Sequence, residues 1–284
     1  MGIFSDILLT VDYDRTLTAP DSSIPERNLE AIRYFMENGG AFTVNTGRSL
    51  PMTAVFRDIV PVSAPLLLYN GSAAYDLAQE RLTFTHEIQL DMWDTLEKCM
   101  ERFPDLNLEV QGIDAHYCIQ DLGGWEAFTR AQPCALAFAN RETDCGPFMK
   151  FTLYGEIRDV TVAHFFEGTQ EEIARVDEAQ KWLNDTFGDS CEVFRAAPRI
   201  IDIHAKGVSK LRSARQLQAQ MGKKILVCVG DGHNDVSMME GADYAYTPSD
   251  SVLKGRFEAV CPCGEGAVAD VIYKKIPEIL GIKP

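Results

Sequence analysis

The sequence has no long apolar run. Among its 284 residues, no stretch of about 18 consecutive apolar residues occurs, so we expect no transmembrane helix. The first residues contain neither a basic segment nor a long apolar segment, and Asp6 interrupts them, so we expect no secretory signal peptide. We therefore predict a cytoplasmic protein that does not contact a membrane.

Positive charge is scarce. Lys and Arg number 27 against 42 Asp and Glu, which gives a net charge of -15 and a pI of about 4.8. No run of Lys or Arg is long enough to override this negative field, which argues against a nucleic-acid or anionic-membrane surface. An acidic protein that handles phosphate needs local help from a metal ion, a lysine or backbone amides.

Closely paired cysteines are also missing. None of the eight cysteines forms a C-x-x-C pair, and Cys261 and Cys263 are too close together for an ordinary zinc knuckle. We expect reduced thiols, as in cytosolic proteins. The remaining composition, with 46% hydrophobic and 24% charged residues, is that of a globular protein long enough for two domains.

Two acids follow the first predicted strand. Ile7 to Val11 is a short apolar run typical of a buried strand, and Asp12 and Asp14 come directly after it, followed by a hydroxyl at Thr16. Open α/β sheets bind ligands at this end of their strands. One carboxylate could attack a substrate while the other handles protons. The alternative is an Asx-rich surface turn.

The next segments predict alternating helices and strands. Ser23-x-x-Glu26 is the pattern of a capping box at the start of a helix. Two further apolar strands are predicted, from Ala41 to Asn45 and from Pro65 to Tyr69, and the second ends in the polar side chain of Asn70. A strand, a helix and a strand in this order form a parallel crossover.

Thr46 follows the second of these strands. The parallel crossover places it at the same edge of the sheet as Asp12, where its hydroxyl could donate a hydrogen bond to an oxyanion. The alternative is that Thr46 or Ser49 merely caps a helix beginning near Leu50.

The alternation pauses after Ala73. Two β-like segments around residues 78–80 predict a hairpin, and strands mixed with helices, the longer from Gln170 to Phe187, then predict a small α+β layer structure. The predicted fold class is α/β: a doubly wound, Rossmann-like parallel-sheet core with an inserted α+β domain. We place the core at residues 1–83 and 196–284 and the insertion at residues 84–195.

Lys210 lies in an unusual position for a lysine. The core pattern resumes at Arg199 to His204, and the helix that follows has Lys210 in its first turn, where a cation opposes the helix dipole. Helix stability therefore does not explain this lysine, which favours a functional role. The alternatives are a charge on a solvated helix face, or Lys206 in the functional role.

A second pair of acids follows the apolar strand Ile225 to Val229. Asp231 and Asp235, four residues apart in the string GDGHND, can converge on one hard cation through oxygen ligands, as Mg²⁺ prefers. Asn234 could fix the loop, and we expect His233 to lie outside the ligand set. An Asx-rich turn before a helix is the alternative.

These motifs together resemble a known family. DYDRT at Asp12 to Thr16, TGR at Thr46 to Arg48, GVSK ending at Lys210, and GDGHND at Gly230 to Asp235 have the order and approximate spacing of the four motifs of haloacid dehalogenase-like phosphatases. The long segment between the second and third motifs resembles the Cof-type branch with a type IIB α/β cap domain. The resemblance covers nearly the whole chain.

The resemblance implies a role for each motif. Asp12 would be the nucleophile and Asp14 the general acid and base, while Thr46, Gly47 and Lys210 would bind the phosphate.

The resemblance also implies a Mg²⁺ site. Asp231 and Asp235 would anchor the ion, joined by Asp12 and the backbone carbonyl of Asp14.

Four further residues are candidates for substrate binding or loop support: Arg15, Arg48, Asn70 and Asn234. Arg15 stands where this family usually has Gly, so it either supports an altered loop, pairs with a carboxylate or contacts the substrate. Lys150, Arg195 and Arg199 are candidates for contact with the leaving group, or are simply exposed charges.

The expected activity is that of a Mg²⁺-dependent phosphatase acting on a small phosphorylated metabolite. Sugar or polyol phosphates are the leading substrates by resemblance, and hydrolysis would pass through an aspartyl-phosphate. One alternative is a phosphomutase or phosphotransferase with the same chemistry. Another is a non-enzymatic phospho-aspartate receiver, which the inserted domain and the second acid, Asp14, disfavour. No pattern indicates an oligomeric state.

Overall fold

A computed structural model describes residues 2–123, 125, 134–156 and 168–282. The chain forms two compact units. The first contains residues 1–47, 56–84 and 209–284, and the second contains residues 48–55 and 85–208. Among the described residues, no helix is long and apolar enough to cross a membrane.

The elements are numbered here in chain order. The strands are β1 (Ile7–Val11), β2 (Ala41–Val44), β3 (Leu66–Leu68), β4 (Ala73–Asp76), β5 (Arg81–Thr85), β6 (Asn107–Gln111), β7 (His116–Gln120), β8 (Leu136–Phe138), β9 (Lys150–Tyr154), β10 (Cys191–Ala197), β11 (Ile200–Ala205), β12 (Ile225–Val229), β13 (Tyr244–Pro248) and β14 (Glu258–Val260). The α-helices are α1 (Glu26–Glu37), α2 (Met92–Arg102), α3 (Gln170–Phe187), α4 (Lys210–Gln220), α5 (Val236–Glu240), α6 (Ala267–Asp270) and α7 (Ile276–Leu280).

The first unit is built on a parallel sheet in the order β14-β13-β12-β1-β2. Strand β1 lies between β12 and β2, and Val11 is in register with both Val229 and Val44. All five residues of β1 are buried, as an apolar strand in the middle of a parallel sheet requires. Because the three strands end in register, the residues that follow them meet at one edge of the sheet.

Strand β3 adjoins this sheet through a parallel bridge between Asn45 and Leu67. It also pairs with β4, and β5 completes an antiparallel sheet in the order β3-β4-β5. The expected hairpin is therefore present, and the α/β fold class is confirmed.

The start of α1 differs from the prediction. The residue before its first turn is Pro25, and no side chain caps the helix. Ser23 instead donates its backbone N–H and its hydroxyl to Asp21, at 3.0 and 2.6 Å. The predicted capping box is therefore wrong, because an Asx-type turn at Asp21 holds the serine outside the helix.

The second unit contains a six-stranded sheet in the order β10-β11-β9-β6-β7-β8. One face of it is apolar, and Val110, Phe151 and Ile203 of this face belong to a core cluster that includes residues of α2 and α3. The opposite face carries buried polar residues: Glu109, Gln111, His116, Lys150, Thr152, Asp202 and His204. The expected α+β layer is therefore present, with helices against one face of the sheet.

Strand β11 corrects the predicted domain boundary. The sequence assigned residues 196–284 to the core, but β11 pairs with β10 and β9 in the sheet of the second unit. Its alternating pattern, with the polar Asp202 and His204 on one face, suits this mixed sheet better than a buried parallel strand. The helix expected near Leu50 is only a short 3-10 turn, Pro51–Val55.

The three cations proposed for the cap are all paired within the second unit. Lys150 and Arg199 are buried. Lys150 lies 2.8 Å from Asp202, and Arg199 lies 3.3 Å from Glu172. Arg195 lies 3.0 Å from Asp177. For Lys150 and Arg199, the expectation of an exposed charge is wrong.

Candidate active site

Three carboxylates converge at the carboxyl edge of the parallel sheet. Asp12 directly follows β1, and Asp231 and Asp235 follow β12. One oxygen of each lies within 4.8 Å of one oxygen of the others. Asp12 and Asp235 are buried, and Asp231 is half-buried. In-register parallel strands thus bring together acids that are more than 200 residues apart in the sequence.

Lys210 joins two of these carboxylates. Its Nζ atom donates to Oδ1 of Asp12 at 2.5 Å and to Oδ1 of Asp235 at 2.7 Å. The lysine side chain is buried at the first turn of α4, where Ser209 caps the helix by accepting from the backbone N–H of Arg212. Asn45 fixes this turn, because its Nδ2 donates to the backbone oxygen of Lys210 at 2.9 Å.

The charges at this edge do not balance. Burial raises the pKa of Asp12 well above its usual range, although Lys210 opposes the shift. Burial and the neighbouring Asp235 raise the pKa of Asp231 to about 6. Burial alone would lower the pKa of Lys210, but Asp12 and Asp235 outweigh it and hold the ammonium charged. Three acids facing one lysine leave an excess of negative charge that a bound cation would neutralise.

Asp235 also shapes the loop after β12. Its Oδ2 accepts from the backbone N–H of Asp231 at 3.1 Å and of Gly232 at 3.0 Å. Oδ1 of Asp231 in turn accepts from the hydroxyl of Thr16 at 3.1 Å. The carboxylates are therefore held in place by neighbouring donors. His233 is exposed.

The turn after Asp12 is tightly hydrogen-bonded. The backbone N–H of Leu17 donates to the carbonyl of Asp12, and that of Arg15 donates to the hydroxyl of Thr18 at 3.0 Å. Tyr13 is buried and stacks on Phe56 with ring centroids 4.3 Å apart. A rigid turn of this kind can present the side chains at positions 14 and 15 in one fixed arrangement.

Asp14 and Arg15 are the exposed members of this turn. Arg15 has φ 59° and ψ 10°, which is the left-handed region that favours Gly. The resemblance implies Gly at this position, and the left-handed backbone gives a physical reason for that expectation. A side chain there costs on the order of 1 kcal/mol, which the hydrogen bonds of the turn must offset.

Thr46 and Asn70 lie next to one another where β2 and β3 end. Both are buried, and the backbone N–H of Asn70 donates to the carbonyl of Thr46 at 3.0 Å. The Oδ1 of Asn70 accepts from Nδ2 of Asn234 at 3.4 Å. A Cβ added to Gly47 would lie 2.9 Å from Asn70 Oδ1, so a larger residue would disturb this arrangement.

Asn70 belongs to a left-handed turn of the backbone. Tyr69, Asn70 and Gly71 have φ values of 52°, 54° and 100°. A Cβ at Gly71 would overlap the carbonyl oxygen of Ser209, the residue that caps α4. The close approach at Gly71 therefore fixes the distance between the Asn70 turn and the helix that carries Lys210.

The second unit contains Arg48 and Ser49, although they follow Gly47 directly. Oγ of Ser49 lies 2.7 Å from Nε2 of His116, and both side chains are buried. Ser49 therefore does not act as the helix cap that was one alternative. Lys206, the alternative to Lys210, also belongs to the second unit, where it donates to the carbonyl of Gly188 at 2.6 Å.

The sequence assigned no role to two residues of this edge. Asn45 anchors the backbone of Lys210, and Thr16 donates to Asp231. A polar residue at the end of a buried strand, as at Asn45, is the one sequence signal that could have identified the first.

Comparison with known proteins identifies the family. Residues 9–251 match the model of the haloacid dehalogenase-like hydrolase family. The chain belongs to this family. The predicted family and the predicted class of enzyme, a phosphoric monoester hydrolase, are confirmed.

Three proteins that this chain resembles share 17% to 24% of its residues. The chain is 24% identical to a 5-amino-6-(5-phospho-D-ribitylamino)uracil phosphatase of Bacillus subtilis, over 83% of this chain and 80% of that protein. A crystal structure of a haloacid dehalogenase-like hydrolase from Bacteroides thetaiotaomicron has a TM-score of 0.78 at 18% identity, covering 94% of this chain and 98% of the other. A subclass IIB sugar phosphatase of the same superfamily has a TM-score of 0.72 at 17% identity, covering 97% and 99%.

The donor set suits a divalent cation, as members of this hydrolase family use. Asp12, Asp231 and Asp235 supply hard carboxylate oxygens, which Mg²⁺ and similar ions prefer over softer ligands. The carboxylate of Asp14 is not part of this group of three. That arrangement is compatible with the backbone role expected for Asp14 at the metal, and that role stays a prediction.

Proposed function

We propose that this chain is a Mg²⁺-dependent phosphatase that hydrolyses small phosphate monoesters through an aspartyl-phosphate on Asp12. The observation that carries the proposal is the position of Lys210, which donates to both Asp12 and Asp235 from a buried site. A buried lysine between a candidate nucleophile and a candidate metal ligand can hold the phosphoryl oxygens beside both. The positive charge of the lysine would allow a dianionic substrate to bind, because three carboxylates alone would repel it.

The proposed residues divide the reaction into two steps. A carboxylate oxygen of Asp12 attacks phosphorus, and the ester oxygen leaves with a proton from Asp14. Asp14 then accepts a proton from water as that water attacks the phosphorus of the acyl phosphate, which releases phosphate and restores Asp12. Mg²⁺, held by Asp12, Asp231, Asp235 and the Asp14 carbonyl, would supply charge neutralisation for the phosphoryl group.

The residues around this centre have proposed supporting roles. Thr46 and the backbone at Gly47 would hold the phosphoryl oxygens together with Lys210. Asn70 and Asn234, which bond to each other at 3.4 Å, would keep the two loops in register. Arg48, which directly follows Gly47, would support the loop or contact the substrate. We propose the second unit as the cap domain.

The proposed substrates are sugar or polyol phosphates. One relative is named as a phosphatase of a phosphorylated ribitylaminouracil, and a protein of similar fold is named as a sugar phosphatase. Both names describe phosphate esters of polyhydroxylated carbon chains, which is the chemistry we extend to this chain.

The test is phosphate release from a panel of phosphate esters by the wild-type protein and by Asp12→Asn. The amide is nearly isosteric but cannot attack phosphorus, so turnover should fall by more than the roughly 10²–10⁴-fold effect of a single acid-base group, which is far below about 1% of wild type. Asp58→Asn, an exposed acid with no predicted role, is the matched control and should keep full activity. Retained turnover in Asp12→Asn, with deamidation excluded by mass spectrometry, would reject Asp12 as nucleophile.

The metal requirement needs a separate measurement. Dialysis against EDTA should abolish turnover, and Mg²⁺ should restore it. Ca²⁺ should restore little, because its longer and looser coordination misplaces the reacting oxygens. Transfer of the phosphoryl group to an added alcohol or sugar instead of water would favour a phosphotransferase or phosphomutase.

A further inference from the structure

Arg15 is an exposed cation without a polar partner in the described part of the chain. Its guanidinium makes no hydrogen bond and no ion pair with any described residue. The turn Cys263–Glu265, which contains the acid Glu265, packs against the turn that carries Arg15. In a chain with a net charge of -15, an arginine without a carboxylate partner among the described residues is unusual.

Arg15 lies next to the candidate active-site acids in the sequence. It is the next residue after Asp14 and the third after Asp12. Its positive charge opposes the rise in the pKa of Asp231 and in that of Cys263, so the guanidinium lies within electrostatic range of both groups. The turn that carries Arg15 therefore adjoins both the candidate metal site and the turn Cys263–Glu265.

The base of this side chain is rigid. The backbone N–H of Arg15 donates to Thr18, and Thr16 next to it donates to Asp231. These bonds hold residue 15 in the left-handed conformation, at φ 59°. The guanidinium is thus presented from a fixed point, as a residue that selects a ligand requires.

We propose that Arg15 is a specificity-determining residue, which binds a second anionic group on the leaving portion of the substrate. This inference rests on the proposed function and narrows it: the preferred substrates are sugar or polyol phosphates that carry a further carboxylate or phosphate. A guanidinium presents a planar fork of donors that matches both groups. Without Arg15, the crowd of carboxylates at this edge would repel such a substrate.

The test compares matched pairs of esters. Glucose 6-phosphate is paired with 6-phosphogluconate, and fructose 6-phosphate with fructose 1,6-bisphosphate, with p-nitrophenyl phosphate as the minimal substrate. For Arg15→Gln, kcat/KM should fall about 10- to 100-fold on the anionic member of a pair, the scale of a lost charged hydrogen bond. The loss on p-nitrophenyl phosphate should be less than about threefold, since that ester offers nothing beyond its phosphoryl group. Arg15→Lys should recover part of the selectivity, because the charge remains but the fork is lost.

Arg57→Gln is the matched control. Arg57 is exposed in the same unit and has no hydrogen bond or ion pair with any described residue, so its loss removes one charge without touching the site. This variant should change kcat/KM by the same small factor on every ester. A drop as selective as that of Arg15→Gln would show that net charge, and not residue 15, discriminates between the esters.

A binding measurement keeps the inference testable if the activity fails. In the Asp12→Asn background, calorimetry with the same esters should show that Arg15→Gln weakens the anionic member of each pair selectively. Equal losses on all esters, or none, would overturn the role of Arg15. Absence of turnover together with selective binding would instead reject the proposed hydrolysis and leave Arg15 as a binding residue.

Discussion

Nζ of Lys210 lies 2.5 Å from Oδ1 of Asp12, and both side chains are buried. Removing the cation leaves two buried carboxylates, on Asp12 and Asp235, without their partner. We predict that Lys210→Met lowers the free energy of unfolding of the metal-free protein by about 3–5 kcal/mol, the usual cost of breaking a buried pair. Urea denaturation in EDTA measures this change.

The exposed Lys181 provides the comparison for Lys210. It pairs with Asp185 across one turn of α3, at 2.5 Å. Lys181→Met should cost less than about 0.5 kcal/mol, as is usual for a solvated pair on a helix surface. Similar losses for the two lysine variants would contradict the buried arrangement at Lys210.

Protonation of Asp231 and Asp12 should stabilise the metal-free protein as the pH falls from 7 to 5, whereas the buried His116 and His204, whose pKa values burial lowers, should destabilise it over the same range. The pKa of Asp231 is raised to about 6, and burial also raises that of Asp12. Between the ordinary carboxyl pKa and these raised values, the folded state binds more protons than the unfolded state, so protonation favours folding. Urea denaturation in EDTA at pH 5, 6 and 7, on the wild type and on Asp231→Asn, separates the contribution of Asp231 from that of the histidines. Relative to the wild type, Asp231→Asn should become less stable as the pH falls, and equal changes in the two proteins would assign the effect elsewhere.

Metal binding should respond to pH in the opposite direction. A carboxylate must lose its proton to bind a cation, so protonation of Asp231 competes with the ion. We predict that the Mg²⁺ concentration for half-saturation rises as the pH falls below about 6. Calorimetric titration at pH 5.5 and pH 7.5 checks this, and equal affinities would argue against Asp231 as a ligand.

Gly71→Ala should be among the most destabilising single substitutions in the first unit. Its φ is +100°, and a methyl group there would overlap the carbonyl of Ser209. We predict a loss of more than about 3 kcal/mol, which combines backbone strain with a steric clash. Gly222→Ala is the control, because its φ is +63° but nothing lies within 4 Å of the added carbon. That variant should lose only about 1 kcal/mol, the cost of the backbone conformation alone.

Ser49→Ala should destabilise the second unit. Ser49 is the partner of Nε2 of the buried His116, at 2.7 Å, and the alanine leaves that nitrogen without a bond. We predict a loss of about 1–3 kcal/mol, as for other buried polar groups without a partner. The exposed Ser23 supplies the comparison, and Ser23→Ala should change the stability by less than about 0.5 kcal/mol.

The elements that the sequence predicted correctly are those whose ends are marked by neighbouring residues. Strands β1 and β12 begin and end at the predicted residues, and α3 runs from Gln170 to Phe187 as expected. Each of these elements is bounded by a sharp change in residue type, as β1 is by the polar Asp12. Lys210 also falls in the first turn of its helix, where the sequence placed it.

The features that the sequence did not predict depend on pairing with other segments or on hydrogen bonds formed in the folded chain. The pairing of β11 with β9 places it in the second sheet, and this partner lies about 50 residues earlier in the chain, beyond the reach of any local pattern. Strands β8, β13 and β14 were not anticipated, because short segments become strands only beside a partner. The left-handed conformation of Arg15 depends on Thr18 and the rest of its turn, and residue preferences alone argue against it.

The chain passes between the two compact units four times, after residues 47, 55, 84 and 208. The short segment 48–55 therefore depends on the second unit for partners such as His116. A truncated protein that lacks only residues 85–208 would expose the side chains of segment 48–55 that the second unit buries. Transplanting residues 85–208 alone into another scaffold would leave His116 without Ser49. Recombination between relatives would preserve both units only if it exchanged the two segments together.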